Sequence, residues 1–239
     1  MSNPIQNVTF PSNGNSAHGY LALPAAGSGP GVIVIQEWWG LKSHIKDVTD
    51  RLAAEGFVAL APDLYGGATT HDGDEAGRLM GELPVEGAAR DLGGAVDFLL
   101  GRDEVTSSTV GAVGFCMGGG FVLVLAAQEG SRIGAAVPFY GVLKQDYPDL
   151  GGITAPVQGH FGEEDSFTTP ESARALAGRI EAESGTAPEF HFYPAGHAFF
   201  NDENLLGTYD KEQADLAWQR TLAFLRAHVR EEGAEGVRP

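Results

Sequence analysis

Short runs of β-branched and aromatic residues recur along the chain, and most are followed by a stretch with apolar residues at helical spacing. No other feature limits the fold as much. Gly31-Val32-Ile33-Val34-Ile35 is apolar throughout, as a strand buried on both faces must be. Ile45, Val48, Leu52 and Ala53 then share one helical face, with Ser43 at the N-cap position and Gly56 as the stop. Phe57 to Ala61 reads as the next buried strand and ends at Pro62-Asp63. Further strands are predicted over 109–115, 134–139, 155–161 and 188–193, and helices over 85–100, 117–128, 170–183 and 208–230. Two early strands, 6–10 and 17–23, flank the turn Pro11-Ser12-Asn13-Gly14 and are predicted to form a hairpin at the sheet edge. Strands joined by crossover helices run parallel. The pattern therefore implies an α/β fold, a mostly parallel central sheet of about 8 strands flanked by helices on both faces. No composition break or internal repeat marks a second unit, so residues 1–239 read as a single domain. Residues 66–84 are rich in Gly, Thr and Asp, with a short helix near 74–81, and form a candidate lid or binding loop. The tail after Glu231 has no pattern and is expected to fray.

Charge narrows the function. The chain carries 15 Lys+Arg against 32 Asp+Glu, a net −17, with no basic run of four residues. Affinity for nucleic acid comes from cations that neutralise phosphates, and anionic membrane surfaces select for the same cations, so neither partner is expected. The single cysteine, Cys116, excludes an intrachain disulfide and a multi-thiolate metal site. The first residues lack a basic segment followed by an apolar run, and no 18 consecutive apolar residues occur. A cytoplasmic protein without signal peptide, membrane span or cofactor is the expectation, acting on a small molecule as a monomer or homodimer.

In open α/β sheets the ligand site lies beyond the carboxyl ends of the strands. One predicted strand runs into Gly114-Phe115-Cys116-Met117-Gly118, and an apolar helix follows. This is a G-x-C-x-G form of the nucleophile elbow, a turn so tight that bulk is excluded two residues either side of the nucleophile. A lone cysteine is most often a small buried hydrophobe. The strand–turn–helix context reverses that reading, because a thiol at a helix N-terminus is favoured as the reactive thiolate. A thiol nucleophile needs a base oriented by a third group. His197 follows the last predicted strand and Asp165 the one before it, which gives the chain order nucleophile, acid, histidine. Glu163 and Glu164 are rivals for the acid but read better as solvated turn charges. His18, His44, His71, His160, His191 and His228 read as surface or packing residues, and no metal-ligand spacing links them. Asp63 is expected to fix local backbone. Trp38 and Trp39 are packing residues of which at least one also lines a pocket, and Tyr140, Phe199 and Phe200 are further candidates for its lining.

These residues make the chain resemble the dienelactone hydrolase family of α/β-hydrolases. The resemblance rests on Val34-Ile35-Gln36-Glu37-Trp38-Trp39-Gly40, Ala61-Pro62-Asp63-Leu64-Tyr65, Gly114-Phe115-Cys116-Met117-Gly118-Gly119, Phe161-Gly162-Glu163-Glu164-Asp165 and Gly196-His197-Ala198-Phe199, in family order. It implies a Cys116-His197-Asp165 triad and a glutamate, Glu37, that contacts the resting thiol. It also implies an oxyanion hole made of the backbone N–H groups of Trp38 and Met117. Glu37 lies between Gln36 and two tryptophans, so partial burial is expected, where it can exchange a proton with the thiol. The family holds a substrate carboxylate with arginines, one of them four residues after the catalytic histidine. Here that position is Asn201, the second aligns with Gly73, and Arg78 falls at a different helical phase. Without a bidentate arginine an anionic lactone has no clamp. The expected substrates are neutral activated esters or lactones, cleaved through a thioester, with Trp39, Tyr140, Phe199 and Asn201 as binding residues. Neutral phosphotriesters are a promiscuous alternative. A non-catalytic binding module is a second alternative, and a redox sensor at Cys116 would want a resolving cysteine that the chain lacks.

Overall fold

In the computed structural model, which describes residues 3–141 and 148–230, the N-terminal hairpin pairs β1 (Val8–Ser12) with β2 (Asn15–Ala22). Its turn closes on Asn13 and Gly14, both at positive φ (48° and 75°), a backbone these two residue types adopt at least cost. There follow β3 (Gly29–Ile35), α1 (Ser43–Ala54), β4 (Val58–Pro62), α2 (Gly73–Glu82), α3 (Val85–Leu100), β5 (Val105–Phe115), α4 (Met117–Glu129), β6 (Ile133–Phe139), β7 (Gln158–Gly162), α5 (Pro170–Ser184), β8 (Glu189–Tyr193) and α6 (Lys211–His228). All eight strands join one sheet in the order β1-β2-β4-β3-β5-β6-β7-β8. The hairpin lies at the edge, with β2 antiparallel to both β1 and β4; β4, β3, β5, β6, β7 and β8 are parallel. The expected α/β architecture and edge hairpin are both present.

Alternation along β3 divides the core. Ile33 and Ile35 pack on one face with Leu92, Val96 and Leu99 of α3, Phe121 and Leu125 of α4, and Ile180 of α5. Val32 and Val34 pack on the other with Ile45, Val48 and Leu52 of α1 and Leu222 and Leu225 of α6. Helix α4 is buried on every side from Met117 to Ala126, which explains why its sequence shows no polar stripe.

Several boundaries move for local reasons. Strand β7 begins at Gln158, not 155, because Pro156 has no N–H for a ladder and offers only its carbonyl, to Ala136 N. Helix α6 begins at Lys211, after Asp210 caps it by accepting from Gln213 N at 3.1 Å. Ser43 is the first helical residue of α1, not its cap, and its hydroxyl donates to Glu203. Glu203 also accepts from His44 N at 3.3 Å and from Lys42 Nζ at 3.0 Å, so a carboxylate some 160 residues away serves this helix N-terminus. The tail after 231 lies outside the described residues. No described helix is long and apolar enough to cross a membrane.

Candidate active site

Strand register brings the site together. Ile35 pairs with Gly114, Phe115 with Phe139, Phe139 with His160 and Gly162 with Tyr193. The residues just beyond those ends are Glu37, Cys116, Tyr140, Asp165 and His197, all at the carboxyl edge of the sheet.

Cys116 sits between β5 and α4 with φ +51° and ψ −116°, a backbone that costs a non-glycine residue roughly 1–3 kcal/mol. Its neighbours hold it there. A Cβ on Gly118 would overlap the Ile35 carbonyl oxygen, and one on Gly114 would overlap the Gly118 carbonyl. A Cβ on Gly119 would lie 2.7 Å from both Gly141 Cα and the Phe139 oxygen. The glycines read from the sequence are thus required by backbone contact. Cys116 N donates to Phe139 O at 3.0 Å, which locks the elbow to β6. Cys116 is 8% exposed.

His197 and Asp165 converge on it. The Nδ1 of His197 lies 2.7 Å from Asp165 Oδ2, and the other carboxylate oxygen accepts from Phe167 N (2.7 Å) and Thr168 N (2.8 Å). Two backbone donors therefore fix the carboxylate that orients the imidazole. Burial works against a charged imidazole. The hydrogen bonds and negative charges of Asp165 and Cys116 outweigh it and push His197 up to about 10. Glu163 and Glu164 are exposed, and neither takes part in this arrangement.

Glu37 is buried more deeply than expected, at 2% exposure. Asn201 Nδ2 donates to its Oε2 at 2.6 Å, and the Tyr140 hydroxyl lies 3.4 Å from its Oε1. The hydroxyl of Tyr140, fully buried, is held protonated by that burial and then by the charges of Glu37 and Cys116. Tyr140 and Ala198 also have positive φ (38° and 60°), so backbone strain gathers at three strand ends of the site. The N–H groups of Trp38 and Met117 make no hydrogen bond among the described residues, and Met117 opens α4, where the first N–H groups have no helical acceptor.

The expected binding residues fare unevenly. Phe199 is wholly buried against Tyr140 and Tyr193, so it supports the site from behind and cannot line an open pocket. Tyr140 likewise presents no free surface. Asn201 spends its amide on Glu37 and its carbonyl on Glu203 N, at 2.9 Å, which leaves it holding the glutamate. Trp39 is nearly closed to solvent and its carbonyl accepts from Thr70 N, tying down the 66–84 segment. Trp38, packed edge-on against it, is the half-exposed member of the pair. Asp63 fixes backbone as expected, accepting from Tyr65 N and Gly67 N, both at 3.0 Å.

Two residues near the site have no role assigned from the sequence. Phe167 is 62% exposed and its ring lies 5.0 Å from that of His197. An aromatic two residues past a candidate acid was the available signal. Tyr65 is half-buried with its hydroxyl 3.3 Å from Met117 Sδ. Among the described residues no three of His, Cys, Asp and Glu converge at metal-ligand spacing. A surface cavity of about 460 Å³ lies between α3 and α4, lined by Val85, Ala89, Val124 and Ala127, and includes none of these site residues.

Residues 17–229 match the model of the dienelactone hydrolase family. Protein usf of Aquifex pyrophilus is 35% identical over 230 residues, covering 94% of this chain and 99% of that protein. A protein of Aquifex aeolicus under the provisional name carboxymethylenebutenolidase is 32% identical, covering 94% and 99%. The crystal structure of a dienelactone hydrolase-like promiscuous phosphotriesterase from metagenomic libraries superposes with a TM-score of 0.81 at 27% identity, covering 93% of this chain and 97% of that one.

Proposed function

This chain belongs to the dienelactone hydrolase family and is an ester-hydrolysing enzyme, and on that footing we propose that it hydrolyses neutral esters or lactones through a thioester on Cys116. The observation that carries the reading is His197 Nδ1 lying 2.7 Å from the buried Asp165 carboxylate, at the same sheet edge as Cys116. An imidazole oriented in this way can take the thiol proton and leave the nucleophilic thiolate.

The thiolate adds to the acyl carbon, and the C=O electron pair moves onto oxygen. The N–H groups of Trp38 and Met117 receive that oxyanion. As the tetrahedral adduct collapses, the C–O bond to the leaving group breaks and His197 gives its proton to the departing oxygen. The thioester carries no charge on sulfur. One of the interactions that raised the imidazole is then gone, and the neutral ring can act as base. It takes a proton from water, hydroxide adds to the thioester, and the C–S bond breaks to return the thiolate and a free acid. The proton on His197 restores the resting pair. Glu37, Asn201 and Tyr140 hold the floor of the site, and Glu37 is the second carboxylate able to exchange a proton with the thiol.

Substrate charge follows from the cations. Arg78 is bound by Glu75 at 2.7 Å and Glu82 at 2.5 Å on its own helix, Lys42 is paired with Glu203, and Asn201 is committed to Glu37. None of these is free to clamp a carboxylate, and a net charge of −17 repels anions at range. Neutral phosphotriesters fit the same site as a secondary activity, since charge builds on a phosphoryl oxygen at the same place; the likeness to a promiscuous phosphotriesterase favours this reading. Initial rates on a neutral aryl ester, an anionic lactone and a neutral phosphotriester test the assignment. The neutral ester is expected to lead, and a strong preference for the anionic lactone overturns the argument from charge.

A further inference from the structure

The motif Ala61-Pro62-Asp63-Leu64-Tyr65 ends in a side chain that the mechanism above does not use. Its backbone is unusually well fixed for a loop. Asp63 accepts from Tyr65 N and Gly67 N and also from Gln6 Nε2 at 2.7 Å, while Leu64 N donates to Gln36 Oε1 at 3.2 Å. Gln36 is the residue before Glu37, so the loop is pinned to the same strand end that supplies Trp38.

The hydroxyl at the end of this support is poorly satisfied. Tyr20 donates to Asp50 at 2.7 Å, Tyr140 to Glu37 at 3.4 Å, and Tyr193 pairs with His160 at 2.7 Å and Arg220 at 3.0 Å. Tyr65 has only the thioether of Met117, at 3.3 Å, as a partner among the described residues. A thioether is a weak acceptor, and a half-buried phenol normally finds a better one. The sulfur belongs to the residue directly after the nucleophile, the residue whose N–H is one of the two oxyanion donors. An anionic oxygen formed beside Met117 would therefore draw the hydroxyl from sulfur, since charge-assisted hydrogen bonds are roughly twice as strong as neutral ones.

We propose that the Tyr65 hydroxyl is a third hydrogen-bond donor to the substrate oxygen that becomes anionic when Cys116 adds to it. The role rests on the thioester reading, and it moves no proton: the hydroxyl keeps its hydrogen throughout. Burial, and then the charge of Cys116, push the phenol well above its ordinary range, so it remains a donor at every pH at which the enzyme works.

Tyr65→Phe removes the donor and keeps the ring. Three measurements on this variant and the parent separate the outcomes. The first is alkylation of Cys116 by iodoacetamide, a displacement that forms no oxyanion; it should proceed within about twofold of the parent rate, which also shows the site intact. The second is kcat/KM for a neutral aryl ester, which should fall about tenfold, the loss of one hydrogen bond to a charged group. The third is affinity for an aryl trifluoromethyl ketone, which adds the thiol to give an oxyanion adduct; it should weaken by a similar factor. The ratio of variant to parent kcat/KM should be flat from about pH 6 to about pH 9, because the phenol does not titrate there. Unchanged hydrolysis and unchanged ketone affinity overturn the role of Tyr65. So does equal loss in all three measurements, the mark of a merely structural residue. Failure of alkylation to stop ester turnover in the parent enzyme instead overturns the thioester reading.

Discussion

Asp165→Asn removes one negative charge and changes almost no volume. The amide oxygen can still accept from Phe167 N and Thr168 N, so the loop keeps both backbone bonds. The NH2 group then faces His197 Nδ1, which must accept instead of donate. The imidazole is left with its proton on Nε2, the wrong tautomer for taking a proton from water. Charge adds to this loss. Both partners are at least 95% buried, with exposures of 3% and 5%, so solvent screens the pair little. With charge centres about 4 Å apart and an effective dielectric of about 20, the lost attraction is about 4 kcal/mol, or close to a thousandfold in rate. Turnover of a neutral aryl ester should fall by about that factor. A titration of the His197 ring by NMR should move its midpoint from about 10 down towards the ordinary histidine range or below it. The thermal midpoint should fall as well, most at or below about pH 6.5, because the raised imidazole contributes to folding stability there. A variant that hydrolyses within threefold of the parent, with the His197 midpoint unmoved, would refute the assignment of Asp165 as the orienting acid.

Folding stability should carry the same signature. His197 sits near 10 in the fold and near 6.5 unfolded, so the folded chain holds the extra proton between those values. Its contribution is whole below about pH 6.5 and lost as the pH rises through about 10, and the fall in urea midpoint over that window should flatten in His197→Gln. Gly118→Ala places a methyl on the Ile35 carbonyl, and should either abolish soluble protein or displace the elbow and cost at least 100-fold in kcat, read by expression and ester assay. Phe167→Ala removes an exposed ring beside His197; KM for aryl esters should rise about three- to tenfold with kcat nearly kept, while KM for small aliphatic esters should stay level.

The strand set, the edge hairpin and the placement of Cys116, Asp165 and His197 beyond strand ends were legible because each depends on residues close in sequence. Apolar runs mark buried strands, glycines at fixed offsets mark a tight turn, and chain order arranges nucleophile, acid and base. The errors fall where the partner is distant. Ser43 looks like a cap until Glu203 arrives to serve the same helix end. Asn201 looks like a substrate residue because it stands where the family resemblance implies an arginine, and only the fold shows its amide turned onto Glu37. Phe199 follows the histidine by two residues and resembles a pocket wall, yet positive φ at Ala198 turns the chain so that the ring enters the core. Phe167 and Tyr65 were passed over for the opposite reason. Each stands close to a recognised motif, but their nearness to His197 and Met117 comes from loops that only sheet register sets side by side.

The central claim is a covalent thioester at the one cysteine. Mix the enzyme with a slowly deacylated neutral aryl ester, quench in acid, and measure the intact mass and the peptide masses. One acyl group should appear on the peptide that contains Cys116, disappear as product forms, and be absent from Cys116→Ala, which should also lose turnover. An acyl group on any other residue, or undiminished hydrolysis by Cys116→Ala, would contradict it.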